Sequence, residues 1–223
     1  GGCDKHEWFR TSIELPKEYE GNTVIYEVKT GKEGGWDAVN PQFLAYVNGR
    51  IAQGLDVNHK EILLTESAAT GQSFNIDLYA YSGRENSLVE LNTSIAILDK
   101  DIEKLYYNIK VPVEIAELLD NEDKRRLDIL SYMTNAVNII DLRKPYDQNF
   151  YASIREANDY LSREFYDKFC GHEDITEVCI GHTHIDVAWL WTLDQTREKA
   201  ARSFSTVLSL MKQYPEYIFM SSQ

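Results

Sequence analysis

The sequence predicts a multidomain chain in three parts: an antiparallel β-sandwich over residues 1–111, a helical linking segment over 112–175, and the first β-α-β unit of an α/β domain over 176–223. Three observations predict it. Short β-prone runs separated by turn residues fill the first part, apolar residues at helical spacing fill the second, and the third reads as an apolar run, an amphipathic helix and another apolar run.

The β-prone runs of the first part are TVIYEVKT, PQFLAYVN, EILLTES, SFNIDLYAYS, SLVELNTSIAIL and KLYYNIKV. Apolar and polar residues partly alternate from Val24 to Val28 and from Phe74 to Tyr79, as expected of a sheet with one wet face. Asn48-Gly49 is a hairpin signal, because a type I′ turn needs positive φ at both central residues.

From Pro112 the pattern turns helical. Leu127, Leu130, Tyr132 to Met133, Val137 and Ile140 to Leu142 recur near the 3.6-residue period, with Asn121, Glu122 and Asp123 available as a cap and acidic first turn. A second stripe is cleaner: Phe150, Ile154, Ala157, Leu161, Phe165 and Phe169 step by three or four, and Pro145 separates the two helices. Both stripes read as core packing.

In the third part Val178-Cys179-Ile180 suits a strand covered on both faces, with Cys179 in the core. A helix is predicted from about Asp194 to Gln213, closed by Pro215, and Tyr217 to Met220 reads as the next strand. Parallel strands joined by a crossover helix need further strands and helices to cover them, so this reading expects the chain to be a portion of something longer.

Bulk properties narrow the function. A chain of 223 residues with 43% hydrophobic and 26% charged residues has an ordinary soluble composition. Its net charge of -13 would repel a phosphate backbone, which argues against a nucleic-acid partner. Cys3, Cys170 and Cys179 are too few for a disulfide framework, and no run approaches the roughly 20 apolar residues of a membrane span. The expectation is a cytoplasmic protein without a membrane segment.

The chemistry gathers in GHTHIDVAWLW, Gly181 to Trp191. His182, His184 and Asp186 are two apart, so on an extended backbone they would share a face, and carboxyl ends of parallel strands are where α/β folds place ligands. Imidazole nitrogen and carboxylate oxygen suit Zn²⁺, but two ligands do not complete its shell, and a strand-end histidine equally serves as a partner for backbone carbonyls. Trp189 and Trp191 either offer flat apolar faces to a sugar or pack in the core of the following helix. Asp194 is a carboxylate at a helix-cap position.

His184-Ile185-Asp186-Val187-Ala188-Trp189-Leu190-Trp191 resembles the zinc-binding signature of glycoside hydrolase family 38, the α-mannosidases, in its bacterial and cytosolic-type branch. The likeness continues through Thr196-Arg197-Glu198-Lys199, Ala201 to Phe204, Gln213 to Tyr217, and Phe219 with Ser221-Ser222-Gln223. The resemblance implies that residues 176–223 open an α/β barrel-like catalytic domain. His184 and Asp186 would be two of the protein ligands of a zinc ion, and Trp189 would line the subsite for the mannose that is cleaved. His182 does not match a family ligand and reads as supporting or structural.

The implied activity is hydrolysis of terminal α-linked mannose from oligosaccharides with retention, which needs a carboxylate nucleophile and a second carboxyl group about 5 Å away. Both are expected beyond Gln223, together with the remaining zinc ligands, so this chain alone is expected to be inactive. Self-assembly of the whole protein is left open. The alternative is a carbohydrate-binding sandwich without catalysis, for which Trp8, Trp36, Tyr46 and Tyr81 are the candidate sugar platforms.

Overall fold

The computed structural model describes residues 3–32, 41–83, 86, 88–170, 176–189 and 191–222. They form two compact units, Gly1–Leu98 with Val178–Gln223, and Asp99–Glu177.

The first unit is built on two antiparallel sheets. One has the order β1 (His6–Glu14), β6 (Ser73–Tyr81), β3 (Gln42–Val47), β4 (Arg50–Leu55); the other has β5 (Glu61–Thr65), β2 (Val24–Lys29), β7 (Asn92–Ile97). Alternation in β6 sends Phe74, Ile76, Leu78 and Ala80 inward, where they meet Val24, Tyr26, Val28, Phe43, Ala45, Leu55 and Ile62 in one apolar cluster. Asn48 and Gly49 both take positive φ, at 51° and 74°, and close the β3–β4 hairpin as their sequence demands. Strands β1 and β4 were not among the runs read from sequence. In β1, most residues on both faces remain exposed, so no clean period-two signal is written there; β4 carries Arg50, Gln53 and Gly54, which have little strand propensity.

The run KLYYNIKV, expected as a strand, is helical: it lies inside α1, Lys100–Glu117. Asp99 caps the helix by accepting from the amides of Asp101 and Ile102, and the buried positions Leu105, Pro112 and Ala116 fall on one helical stripe with Ile102, Ile109 and Val113. The paired tyrosines and the isolated Ile109 and Val111 imitate alternation over eight residues, but the period holds only when the window is widened to the whole helix. Pro112 lacks the N–H that would bond the Asn108 carbonyl one turn back; the Tyr166 hydroxyl donates to that carbonyl instead, at 3.0 Å.

α2 (Lys124–Ile139) is capped by Asp123, one of the three residues expected to do so. Its buried side chains are Ile129, Met133 and Ala136, so the stripe is rotated from the one read in sequence, and Leu127, Val137 and Leu142 are exposed. α3 (Gln148–Tyr160), capped by Asp147, runs on through wider π-helical turns to Phe169. Its predicted stripe holds: Phe150, Ile154, Ala157, Leu161 and Phe165 are all buried. Leu161 is 0% exposed. Leu161→Ala is therefore expected to destabilise the helical unit by about 3 kcal/mol, read as an earlier loss of helical circular dichroism in urea.

At the end of the chain β8 (Gly181–Thr183) and β9 (Phe219–Ser221) pair in parallel, joined by α4 (Leu193–Gln213). This is the β-α-β unit the sequence predicts; the described residues form no larger parallel sheet. Val178, Cys179 and Ile180 correct the expectation: they precede the strand and are exposed, because no described layer covers them. The buried-strand reading presumed such a cover.

α4 lies on the outer face of the β1-β6-β3-β4 sheet. The Thr206 hydroxyl accepts the Gly54 N–H at 3.1 Å and sits 3.2 Å from the Gly54 carbonyl, satisfying the edge of β4 from the helix. Arg202 donates to Gln42 Oε1 at 2.6 Å, Ser209 donates to Gln53 Oε1 at 2.9 Å, and His6 Nε2 meets Glu198 Oε2 at 2.9 Å. Gln195 reaches Asp4 and the Tyr81 hydroxyl, which itself donates to Asp4. A side chain at Gly54 would sit 2.7 Å from Arg202 Cβ and 2.9 Å from its Cα and carbonyl oxygen, so only glycine permits this approach.

Candidate functional site

β8 ends at Thr183, and the chain turns through His184 to Trp191 before α4 begins. The turn is anchored by Ile185, which is buried, while the residues on either side of it project outward. His184 Nε2 and Asp186 Oδ1 converge to 3.0 Å, with side chains 50% and 47% exposed. The other ring nitrogen, Nδ1, lies 3.5 Å from the Ser222 hydroxyl, which follows β9. The parallel β8–β9 register thus places Ser222 beside Nδ1. A carboxylate only accepts, so the ring nitrogen facing Asp186 carries a proton, which a cation bound between the pair would displace.

Atoms bound about 2.0–2.1 Å from a tetrahedral zinc are separated by roughly 3.3 Å. The His184–Asp186 pair is within a few tenths of an ångström of that spacing, and its donor types fit. It is nevertheless a pair. Among the described residues no group of three or more His, Cys, Asp and Glu side chains is placed to hold a metal ion.

Trp189 is 64% exposed further along the same loop and meets the Trp191 ring edge-on at 5.6 Å. Trp191 is half-buried at the helix base, with Lys199 Nζ 4.5 Å from its ring centroid. Ala188 takes a positive φ of 53°, costly for a residue with a Cβ. The Ala188 amide is held by the Thr196 hydroxyl at 3.1 Å.

His182 does not join His184 and Asp186, although the three alternate in sequence. It lines a separate cavity of about 230 Å³ with Asp56, His59, Lys199, Arg202 and Tyr217. There, burial pushes the Asp56 carboxyl up, but hydrogen bonding and attraction from His59 and the amides of Asn58 and His59 outweigh it and hold the pKa below its ordinary value. Asp194 does not cap α4. Thr192 does, in a reciprocal capping box with Gln195, and Asp194 pairs with Arg197 at 2.8 Å in the open first turn. The Thr192-x-x-Gln195 spacing was the signal available for this.

Of the proposed sugar platforms, Tyr81 is 8% exposed and engaged with Asp4 and Gln195, which removes it as a platform. Trp8 is 48% exposed, with ring centroids of Tyr79 and Tyr46 at 4.9 and 5.6 Å. Trp36 lies outside the described residues.

The parallel β-α-β unit thus delivers a converging His-x-Asp pair and an exposed tryptophan beyond its first strand. Residues 174–223 match the model of the Glycosyl hydrolases family 38 N-terminal domain. The chain is 23% identical to Alpha-mannosidase G of Dictyostelium discoideum over 97% of its length and 20% of the relative's, and 26% identical to Alpha-mannosidase 2C1 of Homo sapiens over 97% and 21%. It is also 38% identical to Alpha-mannosidase of Saccharomyces cerevisiae over 35% of this chain and 8% of that one. The family match thus covers the last 50 residues of the chain, and the chain spans about a fifth of the length of the first two relatives. No helix among the described residues is long and apolar enough to cross a membrane.

Proposed function

We propose that the whole protein is a zinc-dependent, retaining exo-α-mannosidase of the cytoplasm that removes terminal mannose from oligosaccharides, and that residues 176–223 open its catalytic domain. The observation that carries this reading is the convergence of His184 Nε2 and Asp186 Oδ1 at 3.0 Å beyond β8, on the loop that also carries Trp189, inside the segment matching family 38. His184 and Asp186 hold the ion from one side, and Trp189 offers its face to the C–H face of the terminal mannose. The bound ion supplies Lewis-acid and positioning chemistry toward sugar hydroxyls. No pair of carboxyl groups in the segment is assigned as nucleophile and acid, so the bond-breaking residues belong to the rest of the protein.

The chain of 223 residues is accordingly expected to release no mannose from an aryl α-mannoside, while the whole protein does so and loses the activity to a chelator. Turnover by the chain alone, or chelator-resistant turnover by the whole protein, contradicts the proposal.

A second reading attaches to the exposed Trp8 and its neighbours Tyr46 and Tyr79: the sandwich binds glycan by itself. Saturable calorimetric heat with mannosides that disappears in Trp8→Ala would support it. The extensive polar seating of α4 on the same sheet favours a supporting role for the sandwich.

A further inference from the structure

The loop carrying His184, Asp186 and Trp189 is clasped by a single hydroxyl. Thr196 Oγ1 accepts from the Ala188 amide at 3.1 Å and from the Trp191 indole Nε1–H at 3.1 Å, and donates to the Thr192 carbonyl at 3.1 Å. A hydroxyl has one proton and two lone pairs, so these three partners use its capacity fully. The same indole N–H also points at the Asp186 carbonyl, at 3.1 Å. Thr196 therefore acts on both ends of the turn: through Ala188 it stabilises a left-handed residue, and through Trp191 it fixes the backbone of Asp186.

The turn needs such a clasp. Ala188 at φ 53° is held against a local preference worth about 1 kcal/mol or more, and such residues persist only where the surroundings over-determine them. His184 and Asp186 are each about half exposed, so packing on their own side chains does little to hold them. Thr196 sits one turn into α4, behind the Thr192–Gln195 capping box and two residues before Glu198, which pairs with His6 of the sandwich. The helix seated on the sheet is thus the fixed body from which the loop is held.

We propose that Thr196, acting with Trp191, is the positioning residue of the metal and mannose loop, a role that rests on the reading of His184 and Asp186 as zinc ligands. It touches neither ion nor sugar. Loss of a group hydrogen-bonded to a ligand side chain weakens metal binding by roughly 10–100-fold, and Thr196 stands one bond further out, which places its effect at the low end of that range.

The test uses the whole protein and compares Thr196→Val, which keeps the shape and removes the hydroxyl, with Thr196→Ser, which keeps the hydroxyl. Zinc affinity is read by competition with a chromogenic chelator, and KM and kcat for an aryl α-mannoside are read at saturating zinc. Thr196→Val is expected to weaken zinc by roughly tenfold and to raise KM more than it lowers kcat, with Thr196→Ser restoring zinc affinity to within about threefold. A merely structural threonine would not give this split with rescue by serine. If Thr196→Val fails to fold, Trp191→Phe, which removes only the indole N–H and a small part of the ring system, carries the test in the same direction. Wild-type zinc affinity and KM in these variants, alongside loss of zinc in His184→Ala, overturns the clasp and leaves the ligand reading standing. Zinc affinity unchanged in His184→Ala removes the ligand reading and the clasp with it.

Discussion

Gly54→Val is expected to unseat α4 from the sandwich and to cost the first unit about 3 kcal/mol, a fall of roughly 10 °C in its Tm. The new Cβ would meet Arg202 at 2.7 Å from Cβ and 2.9 Å from Cα and the carbonyl oxygen. Two of those three atoms are backbone, so rotation of the arginine relieves nothing. The helix must lift, and lifting breaks the two-way contact between Thr206 and the Gly54 backbone as well as the Arg202–Gln42 and Ser209–Gln53 bonds. Arg202→Gly should not rescue the variant, since Cα and the carbonyl remain; rescue by that second change would show that only side chains collide. Thermal unfolding followed by tryptophan emission reports on this unit, because Trp8, Trp189 and Trp191 all lie within it. The transition of the helical unit, followed by far-ultraviolet circular dichroism, is expected to stay where it is; a shift of both together would contradict a local cause.

How much of this was legible in the sequence depends on how far each signal reaches along the chain. β6 and the α3 stripe were readable because their partners bury one complete face, leaving a clean period in the residues themselves. KLYYNIKV misled because eight residues are too few to separate period two from period 3.6 when tyrosines adjoin isolated β-branched residues. Val178 to Ile180 misled for another reason: apolar composition records the partners a segment is to meet, and the described residues supply none. The seating of α4 on the sheet had no local signature, since Gly54 and Thr206 are 152 positions apart and neither stands out in its own surroundings. In the candidate site, the His184–Asp186 spacing was legible, and the separation of His182 from them followed from the family resemblance but not from the alternation, because it depends on β8 ending at Thr183.

In the whole protein, His184→Ala and Asp186→Ala are each expected to abolish mannoside hydrolysis and to lower zinc affinity by more than the roughly 100-fold that loss of an outer partner costs. Each removes one of two donors that the loop brings to 3.0 Å, and a ligand lost from a small coordination shell is replaced only by water. Trp189→Ala provides the contrast. Its ring is 64% exposed and contacts the Trp191 edge, so truncation leaves the donor pair in place while removing the apolar face assigned to the sugar. Zinc content in that variant should match wild type while KM rises roughly tenfold, the effect of about 1.4 kcal/mol of lost stacking. Asp186→Asn separates charge from shape: it keeps an oxygen at the same place but no negative charge, and its zinc affinity should fall between wild type and Asp186→Ala. Metal analysis of the four purified variants beside their steady-state kinetics decides the matter. Full zinc occupancy in His184→Ala or Asp186→Ala would remove these residues from the coordination shell, whereas loss of zinc in Trp189→Ala would mean that the tryptophan supports the loop rather than the sugar.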